Sequence, residues 1–158
     1  RILIHVAASL VALAVGPFQF IPSLRRRRTL HRTLGMIYFS AVFIGGVSGL
    51  FTATIAQGGM ISQTGFMVLA LLWIYTAGHA LRAVKLGDYT AHSEWAMRSF
   101  ALTFAAVTIR AQLGIGFASG YAFEDFYWML SWTCWIPNLI VAEWIIRKNR
   151  NSAQGTLK

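Results

Sequence analysis

Four histidines, His5, His31, His79 and His92, carry most of the chemistry open to this sequence. Three of them, His31, His79 and His92, lie beside clusters of Lys and Arg at the ends of long apolar runs. Imidazole is a common metal ligand and the side chain that ordinarily changes charge near neutral pH. Two imidazoles on different helices would hold haem b as axial ligands, with small neighbours admitting the porphyrin and cations pairing with its propionates. Gly35, Gly78 and Ala91 are such neighbours, and Arg32, Arg82, Lys85 and Arg98 are such cations. Three imidazoles would instead hold zinc with one open position, where bound water becomes a nucleophile and Asp88 or Glu94 acts as general base. The metal set in that reading is His31, His79 and His92. No HExxH or other tight ligand spacing is present, and Cys134 is the only cysteine, so a Cys-based zinc site and an intrachain disulfide are excluded.

The elements that must position these residues follow from composition. Of 158 residues, 56% are hydrophobic and 12% charged, against a soluble norm of roughly 45–50% and about 25%. Several apolar runs reach the roughly 20 residues a transmembrane helix needs. The expected fold is therefore all-α, an integral membrane bundle of about five transmembrane helices, with a further helix or signal sequence before Arg1 as an additional expectation. Residues 1–150 read as one domain and residues 151–158 as a polar tail whose composition fits disorder. A net charge of +9 would suit nucleic acid, but the basic residues cap apolar runs instead of mixing with aromatics on a polar surface, so nucleic acid is not an expected partner.

In chain order, helix one is expected over Ile2–Leu24 with a kink at Gly16-Pro17. Helix two runs from Thr29 or Leu30 to Ala56, with Gly45, Gly46 and Gly49 as a small-residue packing face. A loop over Gln57–Thr64 leads to helix three, Gly65–Ala83. Helix four spans Thr90–Ser119. A loop over Gly120–Asp125 precedes helix five, Phe126–Ile146, with a kink at Pro137-Asn138. Eleven Lys or Arg (25–28, 32, 82, 85, 147, 148, 150 and 158) then fall on one side and only Arg1 on the other. The positive-inside rule puts that side, and the C-terminus, in the cytoplasm.

At 1.5 Å per residue, His31 and His92 open parallel helices at similar depth, while His79 lies about 9 Å further in from Lys85, level with Arg98. A histidine in a first helical turn is readily explained as solvated, and an Arg near a helix end as snorkelling. His79 and Arg98 resist that account, because ionisable groups inside a membrane are costly and face a partner, a cavity or a cofactor. His5 reads as a hydrogen-bonded packing residue on the opposite side. Arg110 there is expected to pair with Glu124 or Asp125.

Along Gly16-Pro17-Phe18-Gln19-Phe20, the arginine run, Leu30-His31-Arg32-Thr33-Leu34-Gly35 with Tyr38, and His92 with Trp95 and Arg98, the chain resembles a bacterial integral-membrane family catalogued as domain of unknown function 2306. The resemblance covers nearly the whole chain and is most specific from Gly16 to Tyr38. A looser similarity runs to the di-haem transmembrane cytochromes, in which a helix-opening histidine followed by Leu-Gly supplies an axial ligand. That similarity implies His31 as a ligand with His92 or His79 opposite. Those cytochromes set histidine pairs on both membrane faces, whereas this chain places three on one face and one on the other.

The expected function is a membrane electron carrier of the bacterial inner membrane. It would bind haem b through His31, His79 and His92 with Arg32, Arg82, Arg98 and Gly35, and pass electrons to a quinone or a partner subunit. The alternatives are a zinc-dependent membrane hydrolase using the same histidines, and an accessory subunit without cofactor whose aromatic helix five packs on a larger assembly.

Overall fold

The computed structural model describes residues 2–155, with side chains over residues 2–152. Arg1 and Lys158, counted above by side, lie outside the described residues. Five stretches are long and apolar enough to cross a membrane: Ile2–Phe20, Arg28–Ala53, Gly59–Lys85, Tyr89–Ala118 and Phe123–Ser152. They are built from helices α1 (Ile2–Val15), α3 (Arg28–Ala53), α4 (Gly59–Lys85), α5 (Tyr89–Thr103), α6 (Ala105–Ala118), α7 (Phe123–Thr133) and α8 (Ile136–Gly155), with a 3-10 turn at Gly16–Phe20 and the short helix α2 (Pro22–Arg26) between the first span and the second.

Small residues make the core. Ala12, Ala41, Val42, Ala77 and Ala80 are buried around Tyr38 and Trp73, while Leu3, Ile44, Met60, Leu71 and Val141 stand exposed. In lipid this inversion is favourable: tails solvate large apolar side chains, and small residues let backbones approach. The α3 glycines do this. A Cβ on Gly46 would lie 2.5 Å from Ile74 on α4, and one on Gly49 would lie 3.0 Å from the His5 ring on α1. Helix α3 is thereby clamped between α1 and α4.

Three spans are broken where a single helix was expected. The first breaks at Gly16-Pro17, as its sequence indicates: a Cβ on Gly16 would strike the Phe100 ring at 2.5 Å, so the chain meets α5 there. Ile21 is extended, and Pro22 restarts the helix as α2. The fourth span is interrupted at Phe104, which keeps helical dihedrals (φ −67°, ψ −14°), just after Thr103, whose hydroxyl bonds the carbonyl of Ser99 at 3.0 Å. The fifth breaks at Cys134–Trp135, just ahead of the Pro137-Asn138 kink expected, because a proline ring clashes with the carbonyl four residues back. The Asn138 amide donates to Cys134 O at 3.0 Å, satisfying one carbonyl freed there.

Loops are shorter than expected. Helix α4 starts at Gly59, after Gly58 (φ +84°). Glu124 and Asp125 lie in the first turn of α7 and not in a loop, which suits acidic groups at a helix N-terminus. Helix α8 runs to Gly155 through residues expected to be a disordered tail; Lys148 O accepts from Ser152 at 3.0 Å within it.

Candidate functional site

The basic end of the bundle gathers Arg25–Arg28, Arg32, Arg82, Lys85, Arg147, Lys148 and Arg150, from α2, the start of α3, the end of α4 and the end of α8. At this end the α4–α5 connection is a Schellman turn. Gly87 takes φ +78°, Asp88 N donates to Ala83 O at 3.0 Å, and Gly87 N donates to Val84 O at 3.2 Å. Asp88 then caps α5, its Oδ1 accepting from Ala91 N at 2.9 Å. The result fixes His92 one turn into α5, where its Nδ1 lies 2.8 Å from Ala80 O on α4. A carbonyl only accepts, so Nδ1 carries the proton and Nε2 of the neutral ring stays free.

Opposite His92, the 3-10 turn lays Gln19 over the first turns of α3. Its Oε1 would be 3.4 Å from a Cβ on Gly35, so the glycine expected to leave space beside His31 leaves it for Gln19. His31, Gln19, Arg25 and His92 line one small cavity of about 30 Å³ with Tyr38, Ser93 and a wall of Phe20, Phe39 and Phe100. That is room for a water or two. Two atoms there are buried without a partner, Gln19 Nε2 and His31 Nδ1. Most buried polar atoms are paired, and one left unpaired costs about 1–3 kcal/mol. The lining carries no Asp or Glu.

His79 belongs to a different assembly. It stacks on Trp95 with ring centroids 4.7 Å apart and lies 4.3 Å from Tyr75. Arg98 sits on the same indole, Cζ 4.6 Å from the centroid, so His79 and Arg98 do share a level. Arg98 is committed elsewhere: its Nε and Nη2 bind both carboxylate oxygens of Glu143 on α8, the latter at 3.1 Å. Glu94, proposed above as a general base, binds Arg150 and lies 4.0 Å from Arg98. The chain Arg150–Glu94–Arg98–Glu143 joins α5 to α8. Arg32 and Arg82 are exposed, and neither lines the cavity.

The structure thus unites His31 with His92 and separates His79 and Arg98 from them. Asp88 is a helix cap and Glu94 an ion-pair partner, so neither faces the imidazoles as a base. Among the described residues no group of three His, Cys, Asp or Glu could hold a metal ion. Gln19, Arg25 and Glu143 were not singled out from sequence as site residues. A glutamine inside an apolar span was the available signal for the first, and a carboxylate in helix five for the last.

A hydroxyl network closes the cavity toward the bundle centre. The Tyr38 hydroxyl lies 2.9 Å from both Ser99 Oγ and Thr103 Oγ1, and Trp73 Nε1 donates to Thr103 Oγ1 at 2.8 Å. Beyond it, toward the other end, lies a second cavity of about 440 Å³, lined in part by Trp73, Thr103, His5 and Ser9. His5 is the hydrogen-bonded packing residue expected: its Nδ1 lies 2.8 Å from Gly45 O. Arg110 bonds the carbonyl of Ala106 and not the acidic pair, whose Asp125 accepts from Ala122 N instead.

No curated protein and no solved structure matches this chain. The profile of the family described as "Predicted membrane protein (DUF2306)" matches residues 2–146, and the chain belongs to that family.

Proposed function

We propose that this membrane protein captures a small anionic group in the cavity between Gln19, Arg25, His31 and His92. The group is a chloride-sized ion or one oxygen of a carboxylate or phosphate. The observation that carries this reading is the pair of buried, unpartnered atoms, Gln19 Nε2 and His31 Nδ1, on residues that share one lining with a guanidinium and a second imidazole. An amide N–H, an Arg fork and the N–H of a His31 ring protonated at Nδ1 are all donors. The lining offers two imidazoles and no Cys, Asp or Glu, short of the three protein ligands a zinc site takes, and Arg25 beside them repels a cation.

Haem b does not fit the arrangement. Two histidines meet where there is room for a water-sized group and not for a porphyrin, and the larger cavity is lined by His5 alone among the histidines. These residues therefore hold an anion in our reading, and they do not carry electrons through a haem. Taking the basic end as cytoplasmic by the positive-inside rule supports a bacterial inner membrane with the C-terminus inside. In that orientation the anion site faces the cytoplasm.

The test is thermal unfolding in detergent micelles at constant ionic strength, with chloride, acetate or phosphate replacing a bulky sulfonate. Ligand at ten times Kd stabilises by about 1.4 kcal/mol. Wild type gains this with at least one of the three anions, while Gln19→Leu and His31→Phe do not. Equal gains in all three proteins, or none in wild type, would refute the site.

A further inference from the structure

The larger cavity lies at the end of the bundle away from the arginine run, between α1, the end of α3, α4 and the α5–α6 junction. Its volume of about 440 Å³ is in the range of small-molecule pockets, which run from about 300 to 1,000 Å³. Apolar side chains such as Leu13, Phe66, Leu69, Leu102 and Ile109 make most of its wall. Two polar groups on one face of α1, one helical turn apart, break that wall, with Thr52, Gln57, Thr103, Arg110 and Tyr127 contributed by the rest of the chain.

The first is Ser9, whose Oγ is buried and has no hydrogen-bond partner. Ser62 Oγ is the other buried hydroxyl without a partner among the described residues. Ser48, Thr52, Thr64, Thr76 and Thr103 all turn their hydroxyls back onto the carbonyl four residues before, the ordinary resort of a hydroxyl in a lipid-embedded helix. Ser9 lines the cavity without that bond. The second is His5. Its Nδ1 donates to Gly45 O at 2.8 Å, and its ring rests on Gly49, where a Cβ would come within 3.0 Å of Nδ1. The ring is therefore held in one orientation, and in the neutral tautomer its Nε2 can only accept.

An acceptor at His5 and a hydroxyl at Ser9 select a particular head group. We propose that this cavity binds a lipid-soluble molecule with a hydroxyl head, whose O–H donates to His5 Nε2 and whose oxygen accepts from the Ser9 hydroxyl. A quinol and an aliphatic or terpenoid alcohol share that chemistry. A quinone or a ketone meets Ser9 but leaves His5 unpaired, and a carboxylate would turn to Arg110 on the same lining and away from the His5 lone pair. This site is independent of the anion cavity, from which the Tyr38–Ser99–Thr103–Trp73 network divides it.

The test uses the purified chain in nanodiscs and four probes: decylubiquinol, decylubiquinone, farnesol and palmitate. Binding is followed by tryptophan fluorescence, since Trp73 lines the cavity. Saturable binding of decylubiquinol at least about fivefold tighter than decylubiquinone, the fold expected for one neutral hydrogen bond, supports the proposal with a quinol as ligand. Equal or tighter binding of farnesol supports it with an alcohol. Ser9→Ala and His5→Phe should each weaken the hydroxyl probe by about that factor. Ser40→Ala, on the exposed face of α3, should leave it unchanged. Should His5→Phe misfold through loss of the Gly45 contact, Ala106→Phe fills the cavity from α6 and must abolish binding. Palmitate or the quinone binding tightest, no saturable binding by any probe, or indifference to Ser9→Ala and Ala106→Phe would each overturn it.

Discussion

Replacing Thr103 by Val tests whether the hydroxyl network between the two cavities holds the bundle together. Val keeps the shape of Thr and removes its oxygen. In the folded chain that oxygen accepts from Trp73 Nε1 at 2.8 Å, lies 2.9 Å from the Tyr38 hydroxyl, and donates to Ser99 O at 3.0 Å. Tyr38 retains Ser99 as a partner, so the main loss is Trp73, whose indole N–H is left without an acceptor in a residue 5% exposed. An orphaned buried donor costs about 1–3 kcal/mol in soluble proteins. Between membrane helices the average falls to about 0.6 and the maximum is about 1.7 kcal/mol, because the separated helices also find partners. Thr103 serves three partners, so the upper part of the membrane range applies, about 1–1.7 kcal/mol. At about 2–4 °C per kcal/mol for a chain of this size, Tm falls by roughly 2–7 °C. The assay is thermal or SDS unfolding in micelles, with Trp73→Phe as the second arm of a double-mutant cycle. If the account holds, Thr103→Val costs less than half as much in the Trp73→Phe background. A cost below about 0.3 kcal/mol, or full additivity, would refute the role assigned to Thr103.

The other predictions concern packing, charge and cofactor. Gly65→Ala places a methyl 2.5 Å from Ser131 Oγ and 3.0 Å from Ser131 O, so α4 and α7 must part at a cost of about 1–3 kcal/mol, whereas Gly78→Ala meets nothing and gains up to about 1 kcal/mol; matched melts of the two variants read the difference. Glu143→Gln breaks the Arg98 pair and lowers stability by at most about 2 kcal/mol, since a 36% exposed Glu143 side chain is screened by solvent, and Arg98→Met combined with Glu143→Leu costs less than the worse single change. A reduced-minus-oxidised spectrum of protein expressed with added haem precursor shows no stoichiometric Soret band. A band at one haem per chain that disappears in His31→Ala would restore the cytochrome reading.

Much of the fold was legible because lipid imposes a simple rule: apolar runs of about 20 residues must be helices. The five spans, the clustering of basic residues and the break at Gly16-Pro17 follow from that rule and from proline sterics. The interruption at Phe104 has no glycine or proline beside it, so no residue type in the sequence marks it. The site was half legible. His31 and His92 sit at matching depths in sequence and do meet. His79 lies only 13 residues from His92 and does not join them, because depth fixes a residue's height but not the rotation of its helix, and helices in lipid are apolar on several faces. Gln19 reaches His31 only through the 3-10 turn that carries it across α3, a path that no periodic pattern encodes.

The anion cavity is the centre of the account, and ¹⁵N-histidine NMR in micelles tests it most directly, since the chain has only four histidines to assign by substitution. Titrating chloride, acetate or phosphate at pH 6 should move the His31 and His92 imidazole resonances along a saturable curve and leave His5 and His79 in place. Shifts common to all four rings, or a His31 resonance indifferent to every anion, would contradict it.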